Sequence, residues 1–262
     1  MGDSETGQVS EDAAKIYDEV YLPALFQEWC PLVLEAANVK SGHHVIDVAC
    51  GTGALAIAVS EYIGPEGTVV GIDINEGRLK IARSKSSSVG WFNAPAEALP
   101  FSDGHFDCVV SQFGLMYFEN QESAIREMMR VLRQGGSLAV VVWDKLDNNP
   151  GLAAEENLWQ QVFGEEVDET PYRLGDKGIL KNLFKSSGVT NVQITTHERT
   201  ALFDSIENWI HTGVKVWAED DVLSDDQVKL LLKKAEEELT NYRTAKGTVA
   251  FPTSAHIVTA RR

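Results

Sequence analysis

The stretch VIDVACGTGALAIAVS, residues 45–60, constrains the fold more than any other part of the chain. An apolar run reaches an acid, passes through two closely spaced glycines, and enters an alanine-rich segment of helical character. A strand that turns through glycine directly into a helix opens a βαβ unit, whose crossover returns to a parallel neighbour. The pattern then repeats. TVVGIDI (68–74) precedes the helix NEGRLKIARSK, and VGWFNA is a short third strand. FDCVVSQFG (106–114) precedes the helix QESAIREMMRVLR (121–133), and GSLAVVVWD (136–144) is a fifth strand. Alternation with helix-length crossovers implies a parallel sheet covered on both faces. Upstream, Ala14, Ile16, Tyr17, Tyr21, Leu25, Phe26 and Trp29 recur at helical spacing across 11–38, with Pro23 and Pro31 dividing that segment. After NNPG the spacing predicts helices near 151–163, 176–187, 205–216 and 224–241 around two late strands, NVQITTHER and AHIVTARR. These two can pair antiparallel at the sheet edge. The expected fold is an α/β, doubly wound, mostly parallel seven-stranded sheet with an antiparallel edge and a helical cap.

Composition removes several functions. The formal net charge of −16 argues against a nucleic-acid substrate, since phosphate contacts need a basic face. AEDDVLSDD (218–226) and KKAEEEL (233–239) read as solvated faces that aid solubility. No apolar run is long enough to span a bilayer, and the acidic start is unlike a secretory leader, so a cytoplasmic protein without stable membrane insertion is expected. Gly2 and Thr6 have the spacing of a myristoylation signal, but no basic cluster supports a single acyl chain. Cys30, Cys50 and Cys108 lack metal or disulfide spacing and are expected as free thiols, with no metal site.

The glycine turn should face a ligand beyond the carboxyl ends of the strands. Gly51 and Gly53 allow close backbone approach, and the helix that follows presents free N–H groups. Asp73, ending the second strand 20 residues beyond Gly53, suits a ribose diol. A dinucleotide and an adenosyl ligand both fit so far. Asp47 separates them: it stands inside the strand where a dinucleotide site normally has an apolar residue, and it can orient the turn and attract an ammonium or sulfonium group. Ala56 takes the place of a third glycine, and no hydride-transfer pair follows. The turn therefore reads better as an S-adenosylmethionine site.

VIDVACGTGALA, VVGIDINEGRLKIAR, AEALPFSDGHFDCVVSQFGLMYF and IREMMRVLRQGGSLAVVVW, from about residue 40 to 145, resemble the class I S-adenosylmethionine-dependent methyltransferases. Within them the chain is similar to the ubiquinone/menaquinone-biosynthesis (methyltransferase type 11) group. The resemblance implies a Rossmann-like single domain: a helical lid over 1–38, a cofactor-binding core over 39–145, a helical substrate cap with a late strand over 146–245, and an edge strand over 246–262. It places Asp47, Ala49, Gly51, Thr52 and Gly53 around the methionine portion, Asp73 on the ribose and Ile74 against adenine. Ala96 and Glu97 fall in the loop over the adenine edge. Ser111, Gln112 and Phe113 face the methionine end and the acceptor. Where the family commonly has an Asp for the adenine amino group, this chain has Pro95.

Tyr17 is a candidate cofactor contact, and Tyr21, Phe113 and Met116 are candidate acceptor contacts. His43 and His44 read as surface residues, and His105 sits in the SDGHFD turn. His197, His211 and His256 lie in the more variable half, each a weak candidate base. Cys50 and most of Trp29, Trp143, Trp159, Trp209 and Trp217 read as packing. The expected reaction is in-line methyl transfer from the sulfonium to a small-molecule acceptor, without metal and without an assigned catalytic residue. The competing readings are a non-catalytic adenosyl-binding protein and a nicotinamide-dependent reductase. The acceptor and the oligomeric state are not legible.

Overall fold

The computed structural model describes residues 11–164, 167–217 and 223–262. Gly2, Thr6, the Trp217 side chain and the start of the 218–226 acidic stretch lie outside the described residues. Seven strands form one sheet: β1 (His44–Val48), β2 (Thr68–Asp73), β3 (Val89–Asn93), β4 (Phe106–Gln112), β5 (Leu132–Trp143), β6 (Gln193–Phe203) and β7 (Val249–Arg261). Their spatial order is β3-β2-β1-β4-β5-β7-β6. The first five pair in parallel, and β7 is antiparallel to both β5 and β6. The late strands thus form the antiparallel edge pair, with the antiparallel strand one place in from the rim. Helices α8 (Ile206–Trp217) and α9 (Asp225–Glu238) separate them in sequence.

Pro252 lies inside β7, yet no ladder bond is lost to it. β5 pairs with β7 only as far as Ala255, so at Pro252 the strand has β6 on one side alone. Beyond that point side chains take over. Ser254 donates its backbone N–H to Asn149 Oδ1 at 2.8 Å and its hydroxyl to Asp144 at 2.9 Å.

The N-terminal segment is less regular than its apolar spacing predicts. It runs as α1 (Glu11–Ile16), a π-helical stretch over Tyr17–Phe26 containing Pro23, a short turn, and α2 (Cys30–Ala36) with Pro31 in its first turn. Such wide turns concentrate at functional sites. The crossover helices follow the expected pattern: α3 (Ala54–Ile63) starts at Gly53, α4 (Glu76–Lys85) is capped by Asn75, and α5 (Gln121–Val131) by Asn120. α5 stops before 133 because Leu132 already pairs with Phe106 in β5. α6 (Pro150–Phe163) and α7 (Lys177–Ser186) follow, α7 capped by the Asp176 carboxylate.

Two apolar cores result. The larger joins α2, α3 and α5 to the sheet around Ile46, Val109, Val140 and Met128. The smaller lies within the cap around Trp209, Phe251 and Leu231 and includes Tyr21 and Leu25 of the lid. The N-terminal segment expected as a lid therefore packs into this second core.

Candidate active site

At the end of β1 the backbone turns through left-handed conformations at Ala49 (φ 61°), Gly51 (φ 55°) and Gly53 (φ 88°). Ala49 is strained there, as residues at functional turns often are. The two glycines serve different ends. A Cβ on Gly51 would meet nothing within 4 Å, so that position opens onto free space. A Cβ on Gly53 would lie 2.5 Å from the Trp91 ring, so Gly53 makes room for a packed tryptophan.

The carboxylate that ties down this turn is Asp73. Its Oδ2 accepts from the Gly51 N–H at 2.7 Å and its Oδ1 from the Asn75 N–H at 2.8 Å. Asp47, expected to orient the turn, makes no hydrogen bond of ordinary geometry to it, whereas Asp73 makes two. Each Asp73 oxygen keeps a lone pair for a ribose hydroxyl.

Asp47 is buried, and neither carboxylate oxygen has a hydrogen-bond partner. Burial first, and the charge of Asp73 second, hold its carboxyl well above the usual range. The Ala56 amide opposes this weakly, without a bond of ordinary geometry. Thr52 Oγ1, Ser111 Oγ and Gln112 Oε1 are also buried without partners. All four side chains stand where β1 and β4 end or in the turn between β1 and α3. Buried polar groups without partners are rare, and several together mark a place that a ligand completes. These atoms are chiefly acceptors, and their complement is a cation carrying N–H donors. The ammonium of the S-adenosylmethionine amino-acid end fits that demand.

The end of β4 is aromatic as well as polar. Phe113 is left-handed (φ 55°) and stacks on Trp143 with centroids 4.0 Å apart. Phe26 of the lid meets Phe113 edge-on at 5.3 Å, and Gln112 Nε2 donates to the Phe26 carbonyl at 3.0 Å. Gly114 is needed beside them, since a Cβ there would lie 2.6 Å from that of Ala49.

Beyond the ends of β2 and β3, Ile74 is 51% exposed and Phe92, edge-on to Phe101, is 42% exposed, so each offers an apolar face to solvent. Ala96 is buried beneath the loop, and Glu97 accepts from the Asn120 N–H at 3.1 Å. Pro95 is exposed, and Glu97 is engaged at the start of α5. Asn93 donates to the carbonyls of Asp73 and Ile74 and so fixes the peptide that carries the apolar contact.

The lid crosses this region. The Arg78 guanidinium of α4 lies 5.3 Å from the Tyr17 ring centroid, and Lys85 pairs with Asp18 at 2.5 Å. Desolvation pushes the Tyr17 phenol up to about 12, with Arg78 opposing. Sequence reasoning missed Arg78; its signal was a cation one turn into the helix that follows Asp73. Met116, expected as an acceptor contact, is fully enclosed in the main core and acts in packing. Among the weak base candidates, His211 is exposed, His197 bonds Thr195 on the edge strand, and His256 is buried against Asp144, Thr196 and the Gly175 carbonyl. The structure brings none of them to the glycine turn. Cys50 packs under Gly71, and burial raises its thiol well above the ordinary range. Among the described residues no group of three or more His, Cys, Asp or Glu side chains has metal-binding geometry.

A doubly wound sheet whose first turn is tied to an acid at the end of β2 and stands beside an unpartnered carboxylate has the form of a nucleoside-binding crevice, and the family match makes it that of an S-adenosylmethionine-dependent methyltransferase. The chain belongs to the ubiE/COQ5 methyltransferase family, whose model matches residues 3–201. It is 37% identical over 233 residues to the ubiquinone/menaquinone biosynthesis C-methyltransferase UbiE of Pseudomonas putida, over 80% of this chain and 89% of that one. Against the protein of the same name from Pseudomonas entomophila it is 39% identical over 153 residues, a match spanning 55% of this chain and 60% of the relative. The fold is also that of the Bacillus subtilis protein YcgJ, with TM-score 0.61 at 20% identity, covering 90% of this chain and 98% of that one. S-adenosylmethionine is the cofactor, the acceptor is a small molecule, and the nicotinamide reading is set aside.

Proposed function

We propose that the chain transfers the methyl group to a carbon of a hydroxylated aromatic ring, as the names of its UbiE relatives suggest. The observation that carries this reading is the aromatic wall beside the polar cluster. Phe113 and Trp143 are buried and stacked, and the half-buried Phe26 packs against both, so the wall beside the polar cluster is aromatic and suits a planar apolar ring approaching at Phe26. When bound, the cofactor supplies an activated methyl on a sulfonium. The protein's part is to align and to exclude water. Asp47 would hold the ammonium with Thr52, Ser111 and Gln112 around it. Gly51 would let the backbone approach, Gly53 and Ala49 would shape the turn, and Asp73 would take the ribose hydroxyls. Ile74, Ala96 and Glu97 would border the adenine, with Pro95 leaving its amino group to backbone acceptors. Tyr17 would close over the ribose end.

The lid, core, cap and edge strand would act as one domain. The charge of −16 supports a small-molecule acceptor over nucleic acid, and we place the enzyme in the cytoplasm. A second reading, a non-catalytic adenosyl-binding protein, is favoured by Pro95 alone. One experiment separates them: incubate the enzyme with methyl-labelled S-adenosylmethionine and a bacterial lipid extract, then identify labelled products by mass spectrometry. A ring compound carrying one new C-methyl supports the proposal. A labelled O-methyl product overturns the carbon assignment, and cofactor binding without any labelled product favours the second reading.

A further inference from the structure

At the seam between lid and cap one carboxylate joins three elements distant in sequence. Glu155 of α6 is 7% exposed. Its Oε1 accepts from the Tyr21 hydroxyl at 3.0 Å, and its Oε2 accepts from Trp209 Nε1 of α8 at 2.8 Å. Gly213 leaves the space for this meeting: a Cβ there would lie 2.6 Å from Oε1 and 3.2 Å from the Tyr21 hydroxyl. From Tyr21 the contacts run inward. Its ring stacks near parallel to Tyr17 at 6.5 Å, and Tyr17 lies beneath Arg78 of α4, the helix that begins just past Asp73.

We propose that Glu155 is a positioning residue that latches the π-helical lid over the cofactor, and that ionisation of its carboxyl releases the latch. The proposal rests on the cofactor site described above. A neutral carboxyl stays buried at little cost: Oε2 still accepts from Trp209, and the protonated oxygen shares one hydrogen bond with the Tyr21 hydroxyl in either direction. An ionised carboxylate gains by reaching water, and water reaches it only if Tyr21, and the lid with it, moves away.

The groups around Glu155 favour this behaviour. Glu156 stands next to it on α6, and Tyr172 approaches from the turn Thr170–Tyr172. The titratable residues of α8, Glu207, His211 and Lys215, are exposed, away from the buried Trp209 and Gly213. Among the described residues no cation pairs with Glu155. Burial, then repulsion from Glu156, raises its carboxyl to about 7, against the bonds from Trp209 and Tyr21. The release window therefore spans neutrality.

The test is the dissociation rate of labelled S-adenosylhomocysteine, chased with excess unlabelled ligand between pH 6 and 8. Asp47 is common to the parent and the variant, so its titration enters both profiles alike and the difference between them reports Glu155. The parent should release ligand roughly tenfold faster at pH 8 than at pH 6, since a carboxyl raised to about 7 passes from about one-tenth to about nine-tenths ionised over that range. Glu155→Gln should depend clearly less on pH than the parent, because its amide does not titrate over this range, whereas Glu156, also raised to about 7 by burial and then Asp168, titrates in both proteins. Equal pH profiles for the two proteins would overturn the latch. Should Glu155→Gln not fold, Tyr21→Phe provides the second variant. It breaks the lid's bond and should release at pH 6 as fast as the parent does at pH 8; release as slow as the parent's at pH 6 would overturn the proposal. A parent that does not bind S-adenosylhomocysteine would instead overturn the cofactor site on which the latch stands.

Discussion

Replacing Asp47 by Asn isolates what an unpartnered buried carboxyl does to the cofactor-free protein. Both oxygens lack partners, and burial holds the carboxyl well above its ordinary range. A folded-state pKa raised above the unfolded one means stability is complete below the unfolded value. That stability is lost as pH rises toward the folded one. Each unit of that interval is worth about 1.4 kcal/mol. Asn does not titrate, and its unsatisfied amide costs about 1–3 kcal/mol, comparable to the neutral acid it replaces. Near pH 4 the exchange should be almost neutral. At pH 7 the variant should be more stable than the parent, with a higher Tm, because it lacks the carboxyl that burial and Asp73 hold above its ordinary range. Asp73→Asn should do the reverse, because Gly51 and Asn75 both donate to that carboxylate. One amide donor would then face another, costing about 2–3 kcal/mol. Thermal melts of the parent and both variants at several pH values, without cofactor, make the comparison. A loss of stability in Asp47→Asn equal to that in Asp73→Asn, at every pH, would refute the assignment of the turn to Asp73.

Gly53→Ala should destabilise by at least about 1–2 kcal/mol, since it forces a Cβ against Trp91 at a left-handed position; an unchanged Tm would contradict that packing role. S-adenosylhomocysteine should raise the melting temperature where NAD and NADP at equal concentration do not; stabilisation by NAD alone would count against the site. Methyl transfer should survive chelation, and activity restored only by added divalent metal would contradict a metal-free mechanism.

The strand–helix alternation was legible because buried strands and crossover helices have distinct apolar periods. The place of Asp73, 20 residues beyond Gly53 at a strand end, followed from that alternation. Its partner was not legible. Whether Asp47 or Asp73 ties the turn depends on which carboxylate meets the Gly51 amide in space, and sequence spacing permits both. The division of labour between the glycines was hidden for the same reason, since Trp91 reaches Gly53 from another strand. The early start of β5 reflects pairing with Phe106, a long-range contact that ends a helix propensity still favourable at Leu132. Glu155 was invisible because an acid in an amphipathic helix reads as solvent-facing until Tyr21 and Trp209 are found against it.

The central claim is that Asp47 and the buried acceptors around it hold the amino-acid end of the cofactor. Calorimetric titration with S-adenosylhomocysteine and with adenosine, which lacks that end, tests it directly. The parent should bind S-adenosylhomocysteine far more tightly than adenosine. Asp47→Asn should weaken the first by about 10- to 150-fold, the equivalent of about 1.5–3 kcal/mol for a charge-assisted bond, and leave adenosine within about twofold. Equal weakening of both ligands, or of neither, would contradict the account.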